Sequence, residues 1–148
     1  MKLYIDGDAL PNILKPILLR AIDKLNLETI VVSNKRISIG SSKNIKYIIV
    51  DAGADEADNH IVEMLNQGDL VITADIPLAD RVISKNANAI DHRGERYTQD
   101  NIKQYLAIRN LMESIRDSGE ITKGPKPFGT KDAQYFANAL NKFLQSIK

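Results

Sequence analysis

The sequence predicts an α/β fold: one domain, residues 1–148, in which a mainly parallel sheet of about five strands is flanked by helices and two C-terminal helices pack on the core. Three observations predict it. Short apolar runs rich in β-branched residues alternate with stretches of helical periodicity as far as residue 90. Such alternation requires right-handed crossovers, and these make neighbouring strands parallel. Beyond residue 98 the strand signals stop and two long one-sided helices follow.

The first strand is expected at Lys2–Ile5, ended by Asp6-Gly7-Asp8, where the lone glycine marks a tight turn. A helix follows over about residues 12–25, with Ile13, Leu14, Ile17, Leu18, Ala21, Ile22 and Leu25 as its apolar stripe. Pro16 fits only in a first turn, so the start at Pro11–Lys15 should be irregular, with Asn12 as the cap. Thr29–Ser33 is a second strand. Arg36–Ile39 is either a short strand or part of a loop, and Lys46–Val50 reads as a third, buried strand. A helix over 55–66 presents Ala57, Ile61, Met64 and Leu65, with Asp55 placed to cap it and Asp58 three residues on, as in a capping box. Asp69–Thr73, a short helix at Leu78–Lys85 and a strand at Ala87–Ile90 complete the alternating part. Thr98–Ser118 is predicted helical with Ile102, Tyr105, Ile108, Met112 and Ile115 inward. Gly119–Thr130 is a Gly/Pro-rich loop. Lys131–Ile147 is a final helix striped by Phe136, Leu140, Phe143, Leu144 and Ile147.

Composition narrows the chemistry. The chain has no cysteine, which excludes disulfides and thiolate metal sites, and only two histidines. A metal would therefore need oxygen ligands, which suits Mg²⁺ or Mn²⁺. Nothing resembles a cleaved signal or a membrane span, so the expected location is cytoplasmic. The net charge of +1 hides an asymmetry. Residues 1–80 hold 8 Lys/Arg against 12 Asp/Glu, and residues 81–148 hold 12 against 7. An acidic half suits a cation and a basic half suits a phosphate-bearing partner such as RNA; solvated surface charge is the plain alternative.

Ligands of open parallel sheets bind beyond the carboxyl ends of the strands. There this sequence delivers Asp6 and Asp8 after the first strand, the Gly53–Asp58 segment after the third, and Thr73, Asp75 and Asp80 after the fourth. Two carboxylates ~4 Å apart repel by roughly 4 kcal/mol at an effective dielectric of 20, so converging acids must protonate or bind a cation. A metal set of Asp6, Asp8, Asp58, Asp75 and Asp80 follows, with Asp6, Asp58, Asp75 and Asp80 as the catalytic core. Each has a plainer reading: Asp8 as a turn residue, Asp55 and Asp75 as helix caps, Asp51 and Glu56 as solvated charge. His60 and His92 read as surface or structural histidines. Thr73, through a hydrogen bond to a carboxylate, and Arg93 and Lys126, through phosphate, form the expected substrate-side set. Phe128 either stacks a base or plugs the core.

Ile5-Asp6-Gly7-Asp8-Ala9, Gly53-Ala54-Asp55-Glu56-Ala57-Asp58, Val71-Ile72-Thr73-Ala74-Asp75-Ile76-Pro77-Leu78-Ala79, Arg93-Gly94 and Gly124-Pro125-Lys126-Pro127-Phe128 with Asp132 resemble the bacterial YaiI/YqxD family over essentially the whole chain. The resemblance implies a PIN-like domain with a metal-dependent ribonuclease core, in which Asp6, Asp58, Asp75 and Asp80 inherit the acidic positions. Leu10 stands where that family often has Cys, and Asn59 where a further acid is common. Fold alone does not fix activity. Three expectations therefore stand: a Mg²⁺- or Mn²⁺-dependent nuclease acting on RNA, a non-catalytic RNA- or protein-binding module, and a phosphatase using Asp6 of the Asp6-x-Asp8 pair as nucleophile.

Overall fold

A computed structural model describes residues 1–53, 55–119 and 127–147. Six strands form one sheet in the order β3-β2-β1-β4-β5-β6. These are β1 (Leu3–Asp6), β2 (Thr29–Ser33), β3 (Ile45–Ile49), β4 (Leu70–Ile72), β5 (Asn88–Ile90) and β6 (Arg96–Tyr97). The first five run parallel, and β6 returns antiparallel to β5. The helices are α1 (Lys15–Leu25), α2 (Glu56–Met64), α3 (Ile76–Ser84), α4 (Ile102–Asp117) and α5 (Thr130–Ser146).

The period-two alternation of strand side chains divides the core into two layers. Leu3, Ile5, Val31, Leu70, Ile72 and Ile90 face one side, where α1 and α5 cover them with Leu18, Ile22, Phe136, Leu140 and Leu144. Tyr4, Ile30, Val32, Val71 and Ala89 face the other, under α2, α3 and the first turn of α4, which bring Ile61, Leu78, Val82 and Ile102. Both C-terminal helices thus meet the core, α5 along its length and α4 by its start.

The differences from the sequence expectations have local causes. The helix start is irregular as expected: a 3-10 turn over Asn12–Leu14 leads into α1, with Pro16 in its first turn. Asn12 makes no cap, because it lies inside that turn. The third strand is an edge strand, not a buried one: Tyr47 is 37% and Ile49 55% exposed. Arg36–Ile39 is loop, with Ile39 turned into the core. Asp55 does not cap α2, since its own backbone is left-handed (φ 67°) and its side chain makes no cap bond. In α4, Ile108 and Met112 stand 53% and 45% exposed, where an inward stripe was expected.

The two-residue strand β6 was not foreseen. Its hairpin seats residues 91–95 against α5. Gly94 has φ +90°, and a Cβ there would lie 2.6 Å from the carbonyl oxygen of Tyr135. Only glycine accommodates both the backbone conformation and that approach.

Candidate metal and phosphate site

The chain leaves β1 toward β2 on one side and returns from β3 through α2 to β4 on the other. The sheet order therefore reverses between β1 and β4, the position at which open α/β sheets form a crevice. A cavity of about 410 Å³ lies there, lined among others by Asp6, Asp8, Asp58, Asp75 and His92.

Asp6 ends β1 and is only 8% exposed. Thr73, fully buried at the end of β4, donates its hydroxyl to Asp6 Oδ2 at 2.8 Å. The same hydroxyl accepts the N–H of Asp75 at 3.0 Å. Asp75 then caps α3, its Oδ1 accepting the Leu78 N–H at 3.1 Å. One hydroxyl thus ties the Asp6 carboxylate to the backbone of Asp75, whose own carboxylate is held by its cap bond. Thr73 is consumed by that task and is sealed from any substrate. Asp58, in the first turn of α2, makes no hydrogen bond among the described residues. The cation that acts on it, Arg81, is held by Asn59 Oδ1 at 2.8 Å.

Electrostatics record the crowding. Burial, opposed by the Thr73 and Asp8 hydrogen bonds and reinforced by the charges of Asp8 and Asp75, pushes Asp6 up to about 6. Burial and then the charges of Asp75, Asp6 and Asp55 push Asp58 up to about 7. The anionic cluster is therefore undercompensated by the protein, the condition that a divalent cation relieves. The donors are hard oxygens, which fits Mg²⁺ or Mn²⁺. Among the described residues no three acidic or imidazole groups close tightly enough to enclose an ion by themselves. An ion held by one or two carboxylates with its remaining positions hydrated suits this open arrangement.

Two predicted acids lie elsewhere or are differently engaged. Asp80 is not in this cavity: it pairs with Lys103 of α4 at 3.2 Å and lines a separate depression with Ile83 and Gln99. Asp8 lines the cavity, yet both its oxygens sit 3.2 Å from the N–H of Asn34, a link that ties the β1 loop to the end of β2. Arg93 pairs with Asp132 at 2.8 Å and lies over Phe128, 5.3 Å from its ring centre. It braces the start of α5 as well as facing a groove. Lys126 lies outside the described residues.

From sequence His92 reads as a surface or structural histidine, and its burial excludes the first of these. It follows β5 directly, is 8% exposed, and lines the acidic cavity. Its Nε2 is buried with no hydrogen-bond partner among the described residues. Left unmet such a group costs about 1–3 kcal/mol, so the spot calls for a polar partner, water or ligand. Burial and the neighbouring Arg93 hold its pKa down at about 4, so the ring is neutral near pH 7. The strand-end rule that selected the acids also selects His92 when it is extended to imidazoles. Two loop residues beside the cavity, Ala9 (φ 63°) and Asp55 (φ 67°), adopt left-handed backbone. Each such conformation costs a non-glycine residue roughly 1–2 kcal/mol, strain that clusters where geometry serves a site.

Fold and cavity together define an α/β protein with an acidic crevice at the switch point of a parallel sheet. Residues 4–146 match the family described as Uncharacterized BCR, YaiI/YqxD family, and the chain belongs to it. It is 74% identical to the UPF0178 protein of Sulfurimonas denitrificans, over 97% of this chain and 95% of that one. It is 65% identical to the UPF0178 protein of Nitratiruptor sp., over 100% and 97%. Among solved structures, the homospermidine synthase of Legionella pneumophila in complex with NAD aligns at a TM-score of 0.46 and 12% identity, over 84% of this chain and 35% of that one. At that distance neither fold nor ligand passes from one protein to the other. No helix among the described residues is long and apolar enough to cross a membrane.

Proposed function

We propose that this protein is a divalent-metal-dependent nuclease that hydrolyses phosphodiester bonds in RNA. The observation that supports it is the meeting of Asp6, Asp58 and Asp75, from three different elements, around one cavity in which burial, together with neighbouring carboxylates, raises the proton affinity of Asp6 and Asp58.

Asp6 and Asp75 are the candidate metal ligands, held in fixed relation by Thr73. Mg²⁺ or Mn²⁺, when bound, supplies positive charge at the phosphoryl group and lowers the pKa of water for attack. Asp58 faces the same cavity unbonded and orients that water, its affinity for a proton matching a base that works near neutral pH. A bond forms from water oxygen to phosphorus and the bond from phosphorus to the leaving ribose oxygen breaks. The water's proton passes to Asp58, and solvent protonates the departing oxygen.

The test is cleavage of a labelled single-stranded RNA in Mn²⁺ by the wild type, Asp6→Asn and Asp75→Asn. Wild type should cleave, each variant should lose at least a hundredfold, and a chelator should abolish turnover. Equal residual cleavage in all three preparations would assign the activity to a contaminant and remove the proposal. Chelator-insensitive binding with no cleavage by the wild type would instead favour a non-catalytic RNA-binding module.

A further inference from the structure

A second, larger recess opens beside the acidic cavity. Its volume is about 690 Å³, and it shares Ala74, Asp75 and His92 with its neighbour. These three residues are the seam between the two. The rest of the recess carries Arg93, Arg109, Arg116 and Phe128, with the carboxylate of Asp91, whose oxygen is taken up by the N–H groups of Arg93 and Glu95, also in its lining. An acidic cavity therefore runs into a groove edged by three guanidinium groups and one aromatic ring.

This pairing of opposite fields has a chemical reading. A cluster of carboxylates repels an anionic substrate, so such a substrate needs cations on the flank to dock. Arg109 and Arg116 both lie on α4, seven residues apart. At 100° per residue that spacing returns to nearly the same face, and at 1.5 Å per residue it separates the two by roughly 10 Å along the axis. Two cations in a row at that distance suit an anion that repeats along a chain better than a single phosphate. Arg109 is paired with Glu113 at 3.0 Å, a partly exposed contact within one helix that a phosphate can displace. Arg116 forms no ion pair among the described residues. Phe128 is half-buried: it packs against the core layer under α1 and α5, as one of its two expected roles has it, and Arg93 lies over its ring, which leaves the remaining part of the ring to the groove. An aromatic ring fixed beside a phosphate-binding row accepts a base that is free to leave its stack, which selects single strands over duplex.

We propose that this groove binds a single-stranded nucleic acid, with Arg109 and Arg116 on phosphates of one strand, Phe128 against a base, and a further phosphate beside His92 at the seam. The phosphate at His92 sits next to Asp75, so the strand enters the acidic cavity from the α4 side. Its contacts are with backbone phosphates and with the face of a base, so binding tolerates many sequences. Arg93 acts here as a positioning residue for Phe128. The assignment of the seam phosphate as the reacting one rests on the nuclease reading; the groove itself does not.

The test is fluorescence anisotropy of the full chain with labelled oligouridylate of roughly 12 nucleotides, in chelator so that nothing is cleaved, between about 50 and 200 mM salt. The same oligonucleotide as DNA and as RNA duplex forms the comparison arms. Wild type should bind single strands and discriminate against duplex. The double variant Arg109→Ala with Arg116→Ala, the first half-buried, the second exposed and neither a core residue, should weaken binding at least tenfold and flatten the salt slope by roughly 1.4. Phe128→Leu keeps apolar volume and should weaken binding several-fold at unchanged slope. His92→Phe should weaken binding while leaving the melting temperature unchanged or higher, whereas a histidine needed only for structure would lower it. Absence of binding by wild type, equal affinity and slope in the arginine variant, or a preference for duplex overturns the groove. Cleavage in Mn²⁺ by the arginine variant at saturating RNA reads the acidic site separately. Groove binding without any cleavage leaves this inference standing and removes the nuclease, and cleavage with arginine-independent binding does the reverse.

Discussion

Thr73 and Asp58 illustrate two opposite ways in which a side chain serves this cavity. The Thr73 hydroxyl is saturated, donating to Asp6 and accepting from Asp75. Asp58 is unbonded and pushed up to about 7, first by burial and then by its acidic neighbours. A carboxyl whose folded pKa lies above its unfolded value of 3.8 favours the folded state when protonated. That contribution is fully present below about pH 4 and is lost as pH rises through 7. Asp6, pushed up to about 6, acts in the same sense. His92 opposes them: its pKa is depressed from 6.5 to about 4, so its contribution is present above pH 6.5 and lost as pH falls. Overall stability therefore hides these opposed trends, and the difference between variants isolates one. Asp58→Asn should be nearly neutral at pH 4 and stabilising by about 1–2 kcal/mol at pH 8 without metal, after allowance for solvent screening. Urea unfolding in chelator at both pH values measures it. A difference independent of pH would mean that Asp58 is not charged at the expense of the fold.

At the scale of elements, the hairpin between β5 and β6 carries His92 to the cavity and is seated by Gly94. Ala at position 94 must tolerate both φ +90° and an approach of 2.6 Å to the Tyr135 carbonyl. Gly68 provides the control, with φ +87° and nothing within 4 Å of a Cβ. Gly68→Ala should cost about 1 kcal/mol for conformation alone, and Gly94→Ala at least about 2 kcal/mol more. Thermal or urea unfolding of the two variants gives the comparison, and equal costs would mean that the hairpin is not seated on α5. This hairpin also marks where sequence reading ended. β1, β2 and α5 were legible because their apolar spacing reflects burial against neighbours on one side or the other. The edge position of β3 was not, because an apolar run of five residues reads alike whether one or two strands flank it. A two-residue strand such as β6 has no period to detect. Asp80 was grouped with Asp75 for its nearness in sequence, yet five residues along a helix turn it roughly 140° away, toward Lys103. Arg109 and Arg116 belong to no basic loop, and their common face follows only from the seven-residue spacing within a helix.

The whole molecule separates its charges around one crevice, with carboxylates from residues 1–80 lining the cavity and arginines from residues 81–148 lining the recess beside it. A cation that binds the folded chain and not the unfolded one adds stability by mass action, about 2.7 kcal/mol at a hundred times its dissociation constant. For a chain of this length that corresponds to a rise of about 5–10 °C in melting temperature. The rise should appear with Mn²⁺ or Mg²⁺ and vanish with chelator. It should be larger at pH 8 than at pH 5, because Asp6 and Asp58 hold protons in the acidic range and a cation must displace them. Asp6→Asn and Asp75→Asn should each remove most of the rise. Asp80→Asn should keep all of it, because Asp80 faces Lys103 and a different depression. Thr73→Val should leave part of it, since both carboxylates remain but lose the hydroxyl that links the Asp6 carboxylate to the Asp75 backbone. Differential scanning calorimetry of these variants separates a site assembled by Asp6, Thr73 and Asp75 from a general affinity of an acidic surface for cations. A rise of equal size in Asp6→Asn, Asp75→Asn and Asp80→Asn would establish the latter, and with it the carboxylates of this crevice would lose their special claim on the metal.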